Sequence, residues 1–381
     1  MLSVSSTKPG ILRPFTTRHD LDSQNCHKVV SLAVFIVTNI LWLYYFYLLY
    51  CLLTAPFYFG PSHPRSSVLL VGIICYVAYH WIKDKDTSFR GVYLNKMLRH
   101  ASFWSNLFNY FPVQMILSDE LIEYSQKNQE FSTSGSDDVQ GHRCAFSGLP
   151  ADRNYLLCYH PHGLMGQGAL ACFGTEAVGF SKVFPGLKPW VAIHPAFFRV
   201  PLMREIVLSL GSIAATNNEI RYQLDTEMCG EKGNLVTIVP GGGMEMLESR
   251  DDSYTLYLNR RYGIFRLALE TGSALIPTIS FGETKVYTVI AAKRGTFFRR
   301  IQDYFIEMLG VQTFLFYGNG LAPYRRSVNV VVGAPIPCDR VSHPTREQIA
   351  ELKSNYIKSL TSLFEKYKVY FDPEAKALEI I

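Results

Sequence analysis

Charge is scarce in this 381-residue chain. Lys, Arg, Asp and Glu make up 18% of it, against about 25% in an ordinary soluble domain. The net charge of +5 is small. It gives no argument for nucleic acid as a partner and suits anionic headgroups or a phosphate-bearing co-substrate. Two catalytic signatures are missing: a G-x-S-x-G elbow for a serine nucleophile and a G-x-x-x-x-G-K-[ST] loop for a nucleoside triphosphate. The eight cysteines form no C-x-x-C pair, which removes a disulfide framework and a zinc ribbon and leaves reduced thiols facing the cytosol. No internal repeat is visible.

Apolar residues are what the chain has in quantity, at 48%, with 14% aromatic. From Val29 to Leu53 no charge occurs, and about 20 apolar residues span a bilayer core. A second, shorter run, Val68–Ile82, ends in Lys83, Asp84 and Lys85. The connecting APFYFGPSHPRSS is a loop. Basic residues precede the first run and follow the second, so the positive-inside rule puts both ends in the cytosol. The competing reading is two buried helices of a soluble core. A signal peptide fits poorly, because the run starts late and no small-residue cleavage site follows.

The expected organisation is a cytosolic tail at 1–28, a transmembrane hairpin at 29–83, an interfacial helical region at 84–124, a flexible loop at 125–153 and a catalytic domain at 154–381. Residues 91–112 mix apolar and polar positions at near-helical spacing, with Trp104, Phe108 and Phe111 among them. The tract STSGSDD marks the loop. Apolar strand candidates follow at Tyr155–Tyr159, Val191–His194, Ile213–Ala215, Leu235–Val239, Ala274–Ser280, Val286–Ala291 and Val328–Val332. Helical stretches lie between, such as Pro201–Leu210 and Ile264–Thr271. This alternation predicts an α/β fold with its site at the strand ends.

The sharpest local feature is NYLLCYHPHG, where an apolar strand runs straight into His160-Pro161-His162-Gly163. A neutral imidazole there can accept a proton from an attacking alcohol; a hydrogen-bonded turn histidine is the plain alternative. His160 and His162 with His194 would give a zinc spacing, but no Cys, Asp or Glu clusters locally. Gly166-Gln167-Gly168-Ala169-Leu170-Ala171 matches G-x-G-x-x-A, yet the strand ends too early and no acidic residue lies about 20 residues on. Arg199 and Arg204 are suited to phosphate, or else are solvated. NLVTIVPGGGMEM carries Pro240, Gly241, Gly242 and Gly243, whose N–H groups can meet an oxyanion. Glu245 beyond them could orient an imidazole, or could be solvated beside a plain glycine turn. Arg261, Gly263 and Arg266 open a helix that Gly272 closes. Cys158 is the nearest candidate nucleophile for a lipid hydrolase, but strand alternation turns neighbours to opposite faces.

Taken in order, these pieces resemble the diacylglycerol O-acyltransferase type 2 family, which includes monoacylglycerol and wax-alcohol acyltransferases. The marks are Tyr110-Phe111-Pro112, His160-Pro161-His162-Gly163, the Pro-Gly-Gly stretch with Glu245, the block from Arg261-x-Gly263 to Phe281-Gly282-Glu283, and FGTEAVGFSKVFPG at 173–186. The resemblance covers about residues 90–370 and the hairpin. It implies a glycerolipid-acyltransferase-like mixed sheet flanked by helices, with 154–381 as the acyltransferase domain and the hairpin in the endoplasmic-reticulum membrane with access to lipid droplets. It implies acyl-CoA as donor and co-substrate, no other cofactor and no metal, and diacylglycerol or a related neutral lipid as acceptor. Assembly with further copies of the chain is left open. His162 would be the base, His160 the alternative base and Glu245 the partner. Arg199, Gly241, Gly242, Arg261 and Arg266 would hold acyl-CoA. The wider glycerolipid acyltransferases carry an Asp five residues after the His; here that position is Gln167, as is usual in this family. Two departures stand out: a longer gap between the Tyr-Phe-Pro and His-Pro-His-Gly marks, and Ile264 where Phe is common. The rivals are esterification of monoacylglycerol or a long-chain alcohol, and a membrane lipid-binding protein without turnover.

Overall fold

The computed structural model describes residues 94–110, 112–130, 148–199, 203–251, 253–309, 315–319 and 323–381, together with helical residues within 71–79. The chain divides into two compact units, one over His19–Ser88 and the other carrying Phe89–Ile381. Of the expected hairpin at 29–83 only those helical residues, within its second run, are described; the first run and the tail at 1–28 lie outside the described residues. Among the described residues no helix is long and apolar enough to cross a membrane.

The second unit is built on a seven-stranded mixed sheet. Its strands are β1 (Val113–Leu117), β2 (Tyr155–His160), β3 (Lys188–Ile193), β4 (Ser212–Ala214), β5 (Asn234–Ile238), β7 (Ala274–Phe281) and β10 (Val328–Val332). The order across the sheet is β1-β10-β7-β2-β5-β3-β4. Five strands run parallel, while β10 is antiparallel to β7 and carries β1 beside it. β2 and β7 read as continuous apolar runs because both of their faces are covered. Two small sheets lie outside this one: β6 (Thr255–Leu256) with β11 (Glu379–Ile380), and β8 (Thr288–Ile290) with β9 (Leu315–Tyr317).

The longer helices are α1 (Ser102–Tyr110), α2 (Asp119–Glu130), α3 (Met203–Ser209), α4 (Asn217–Leu224), α5 (Tyr262–Thr271), α6 (Phe297–Leu309) and α7 (Arg346–Phe371). Leu156 and Cys158 of β2 share a core with Phe265 and Ala268 of α5 and with Tyr356, Leu360 and Phe364 of α7. The other face of the sheet is covered by the family-like stretch at 173–186. There Phe173, Phe180 and Phe184 are fully buried, with ring centroids 6.3 Å and 5.4 Å apart. That stretch therefore packs the sheet.

Most expected strands form, with shifted ends. The Val286–Ala291 candidate is shorter, at Thr288–Ile290, and pairs with β9 instead of joining the main sheet. The 84–124 region holds more than helix: β1 lies within it and is almost wholly buried. The residue before it, Pro112, accepts a bond from the Val328 N–H at 3.2 Å, so the Tyr-Phe-Pro mark docks β1 onto β10. Phe108 is buried, so α1 packs part of its apolar side on the protein. Residues 125–130 belong to α2, and 131–147 lie outside the described residues.

Candidate active site

β2 sits between β5 and β7, all three parallel, so the segments leaving their carboxyl ends meet on one edge of the sheet. From β2 comes His160-Pro161-His162-Gly163. From β5 comes the glycine turn, and from β7 comes Gly282-Glu283. This is the edge at which α/β sheets present their ligand groups.

His160 is the last residue of β2 and has no solvent exposure. Its Nε2 lies 3.0 Å from Tyr356 Oη. Its Nδ1 has no hydrogen-bond partner and faces Glu245 Oε1 at 3.8 Å. His162, two residues on, is half-buried. Its Nδ1 lies 3.1 Å from the Gly163 carbonyl oxygen. A carbonyl only accepts, so Nδ1 carries the proton and the lone pair sits on Nε2. Burial holds this imidazole below the ordinary histidine range; the Gly163 bond and the Glu245 charge oppose that shift without cancelling it. The ring is therefore neutral at neutral pH.

Glu245 is 1% exposed and reaches both histidines in different ways. Its Oε2 accepts the backbone N–H of His162 at 2.9 Å, and its Oε1 accepts the Tyr257 N–H at 3.2 Å. It holds the His162 backbone rather than the ring. The sequence left open whether Glu245 is solvated; it is not. Gly241 makes room for it, since a Cβ there would collide with the Glu245 side chain. The N–H of Gly242 donates to the Val239 carbonyl at 3.1 Å, so among these glycines that amide is already engaged.

A second carboxylate closes the other flank. Glu283 accepts the Tyr159 hydroxyl at 2.7 Å, the Gln167 N–H at 2.6 Å and the Gly168 N–H at 3.0 Å. It thereby caps the helical segment Gln167–Gly174 that follows the histidine turn. Gly168 is needed because a Cβ there would meet Tyr159 and Glu283, which gives the G-x-G-x-x-A match a packing explanation. In the sequence Glu283 stands out only as the end of the Phe281-Gly282-Glu283 mark. Its partners lie more than 100 residues away in sequence, so no local pattern announces its role. Tyr356, 196 residues from His160, was missed altogether.

The remaining sequence candidates are more dispersed. Arg261 precedes the first turn of α5 without a side-chain capping bond, and Arg266 follows on that helix; both are exposed. Because α5 leads back into β7, its N-terminus lies at the same end of the sheet as the histidines. Arg199 ends a 3-10 turn after β3, and its side chain lies outside the described residues. Arg204 is buried beside Glu205. His194 stands two strands from His160, roughly 10 Å at ordinary strand spacing, and its Nδ1 accepts from the Ala196 N–H at 3.2 Å. Cys158 lies on the same face of β2 as His160, since residues two apart in a strand point the same way; alternation does not separate those two. Burial pushes its thiol up to about 12, which leaves no thiolate to act as nucleophile.

The fold and these residues define an α/β protein in which two histidines and a buried glutamate meet at the carboxyl ends of neighbouring parallel strands. The family model described as diacylglycerol acyltransferase matches residues 142–381. The chain belongs to that family. It is 33% identical over 331 residues to acyl-CoA wax alcohol acyltransferase 2 of Homo sapiens, covering 85% of this chain and 88% of that protein. It is 35% identical over 306 residues to diacylglycerol O-acyltransferase 2 of Danio rerio, covering 78% and 76%. The Homo sapiens diacylglycerol O-acyltransferase 2 is 31% identical over 318 residues, covering 81% and 74%.

Proposed function

We propose that this protein is an acyl-CoA-dependent O-acyltransferase that esterifies diacylglycerol to triacylglycerol, with His162 as general base. The observation that carries the reading is the fixed tautomer of a half-open, neutral His162, within a chain of the diacylglycerol acyltransferase family. His162 Nε2 takes the proton of the acceptor hydroxyl as its oxygen attacks the thioester carbonyl carbon. General base catalysis of this kind contributes about 10²–10⁴-fold. The tetrahedral oxyanion is met by backbone N–H groups of the glycine turn, with Gly241 and Gly243 as the candidates once Gly242 is engaged with Val239. The carbon–sulfur bond then breaks, and the coenzyme A thiolate leaves and takes the proton back from His162. Glu245, fixed to the His162 backbone, supplies negative charge beside the transient imidazolium. Exposed Arg261 and Arg266 at the site end of α5 suit the coenzyme A phosphates, and Arg199 is a third candidate.

The acceptor has a second reading. The wax alcohol acyltransferase relatives match this chain as well as the diacylglycerol O-acyltransferases do, which favours a long-chain alcohol as the rival acceptor. The membrane setting is part of the same proposal. The uncharged run Val29–Leu53 is long enough to span, which supports a hairpin at 29–83 in the endoplasmic reticulum with both ends cytosolic. In the second unit, α6 adds to this. Buried Arg299 pins its inner side to Glu248 at 2.7 Å, while Phe297 and Phe298 are each 72% exposed and Ile301 and Tyr304 also face outward. Exposed Lys293 and Arg300 flank that apolar side, as suits an anionic lipid surface.

The experiment is acyl transfer in microsomes with labelled oleoyl-CoA and diacylglycerol, monoacylglycerol or a long-chain alcohol. Labelled triacylglycerol is the expected main product. A wax ester as main product would move the reading to the alcohol, and no labelled ester from any acceptor would end it.

A further inference from the structure

The sequence motifs account for both histidines and Glu245 but for nothing on the C-terminal helix, and that helix enters the site. Tyr356 of α7 is fully buried. Its Oη lies 3.0 Å from His160 Nε2 and 3.5 Å from the Cys158 carbonyl oxygen. Phe265 of α5 packs on the tyrosine ring with centroids 5.4 Å apart, which confines it. The groups facing His160 are therefore Tyr356 from α7, Glu245 from the turn after β5 and Cys158 from its own strand.

The tautomer of His160 follows from these neighbours. A carboxylate oxygen 3.8 Å from Nδ1 favours the proton on that nitrogen. Nε2 is then an acceptor, and the Tyr356 hydroxyl gives its single proton to it at 3.0 Å rather than to the Cys158 carbonyl oxygen at 3.5 Å. Burial raises the Tyr356 phenol well above its ordinary range, so the hydroxyl keeps its proton at every working pH. The contacts form one line: Tyr356 to His160, His160 to Glu245, and Glu245 to the backbone N–H of His162.

We propose that Tyr356 is a positioning residue for acyl transfer: its hydroxyl fixes the His160 ring, His160 steadies Glu245, and Glu245 passes that placement to His162. His160 on this account touches no substrate, and its place is inside the protein rather than at the acceptor. The proposal rests on His162 being the base.

The test uses the full chain in membranes, with rates normalised to folded protein. Tyr356→Phe removes one hydroxyl and keeps the ring. It should lower kcat about tenfold, the upper end of one hydrogen bond's worth, and leave the KM for acyl-CoA unchanged. The acid limb of its kcat profile should move to lower pH, because a loosened Glu245 supports the His162 imidazolium less. His160→Gln offers an acceptor to Tyr356 and a donor to Glu245, so it should keep far more activity than His160→Ala. Adding Tyr356→Phe to His160→Ala should cost nothing further. Wild-type kcat and pH profile in Tyr356→Phe would overturn the proposal. Equal inactivity of His160→Gln and His160→Ala would also overturn it, because His160 would then move the proton itself. Should Tyr356→Phe fail to accumulate, the His160 pair decides. His162→Ala run alongside separates the two ideas: activity there would remove the base assignment, whatever Tyr356→Phe does.

Discussion

Glu245 and Glu283 stand on either side of β2, delivered from the ends of β5 and β7, and are 1% and 2% exposed. Glu283 is saturated: a tyrosine hydroxyl and two backbone amides donate to it, with Ser280 Oγ a further 3.5 Å contact. Burial still raises its carboxyl above the usual range, so its surroundings hold it in place without fully offsetting its desolvation. Glu245 has two backbone donors and faces an imidazole nitrogen that has no hydrogen bond. The two carboxylates are equally buried, and the difference lies in the donors around them. A carboxylate whose lone pairs are filled by backbone and hydroxyl groups is a clamp. One with spare capacity beside titratable rings can respond when a proton moves.

Substitutions can break that comparison. Glu245→Gln keeps the shape and removes the charge. It should lower kcat roughly 100-fold, the loss of about 2.7 kcal/mol of transition-state stabilisation, and cost about 1–3 kcal/mol of stability, because the glutamine nitrogen cannot accept one of the two backbone N–H groups that the carboxylate holds. Initial rates and thermal unfolding of the extracted protein check both halves. Glu283→Ala should act on stability alone. It leaves the Tyr159 hydroxyl and two amides without their acceptor, costing about 2–4 kcal/mol of stability, and activity should fall only with the folded fraction. If Glu283→Ala melted normally yet lost turnover, the clamp assignment would go.

The pH dependence sharpens the Glu245 side. His162 must be neutral to take a proton, and burial lowers its folded-state pKa below 6.5. Activity should be complete at pH 7 and decline only below the ordinary histidine range as the ring protonates. The unfolded chain binds that proton at higher pH, so the contribution of His162 to stability also falls as the medium is acidified. A decline beginning above pH 7 would contradict the burial argument. The smallest expected effect is at Gly263, whose added Cβ would meet no atom within 4 Å. Gly263→Ala should gain about 0.5–1 kcal/mol from helix propensity, read by thermal unfolding, with unchanged kcat.

The parts of this site that were legible in the sequence are the parts carried by local pattern. An apolar run broken by Pro and Gly announces β2 and its histidine turn, and the same signal announces β5 and the glycine turn. That the two turns meet depends on β2 and β5 being neighbours, which strand alternation suggests but does not specify. The 26-residue helix α7 left a signal that went unread: Thr345 and Gln348 form a capping box at its start. Its Tyr356 carries no local mark at all, because a tyrosine on an apolar helical stripe looks like core. β1 was lost inside a region read as interfacial helix; its five residues follow a proline and are too few for periodicity to settle. Arg261 and Arg266 are candidates by residue type, and the topology adds only that α5 begins at the site end of the sheet.

The most direct measurement is the rate of acyl transfer from oleoyl-CoA to diacylglycerol by His162→Ala beside the wild type at equal folded protein. The account predicts a loss on the order of 10²–10⁴-fold with retained binding of acyl-CoA. A mutant that matches wild type would contradict it, and would take the base away from the half-open histidine.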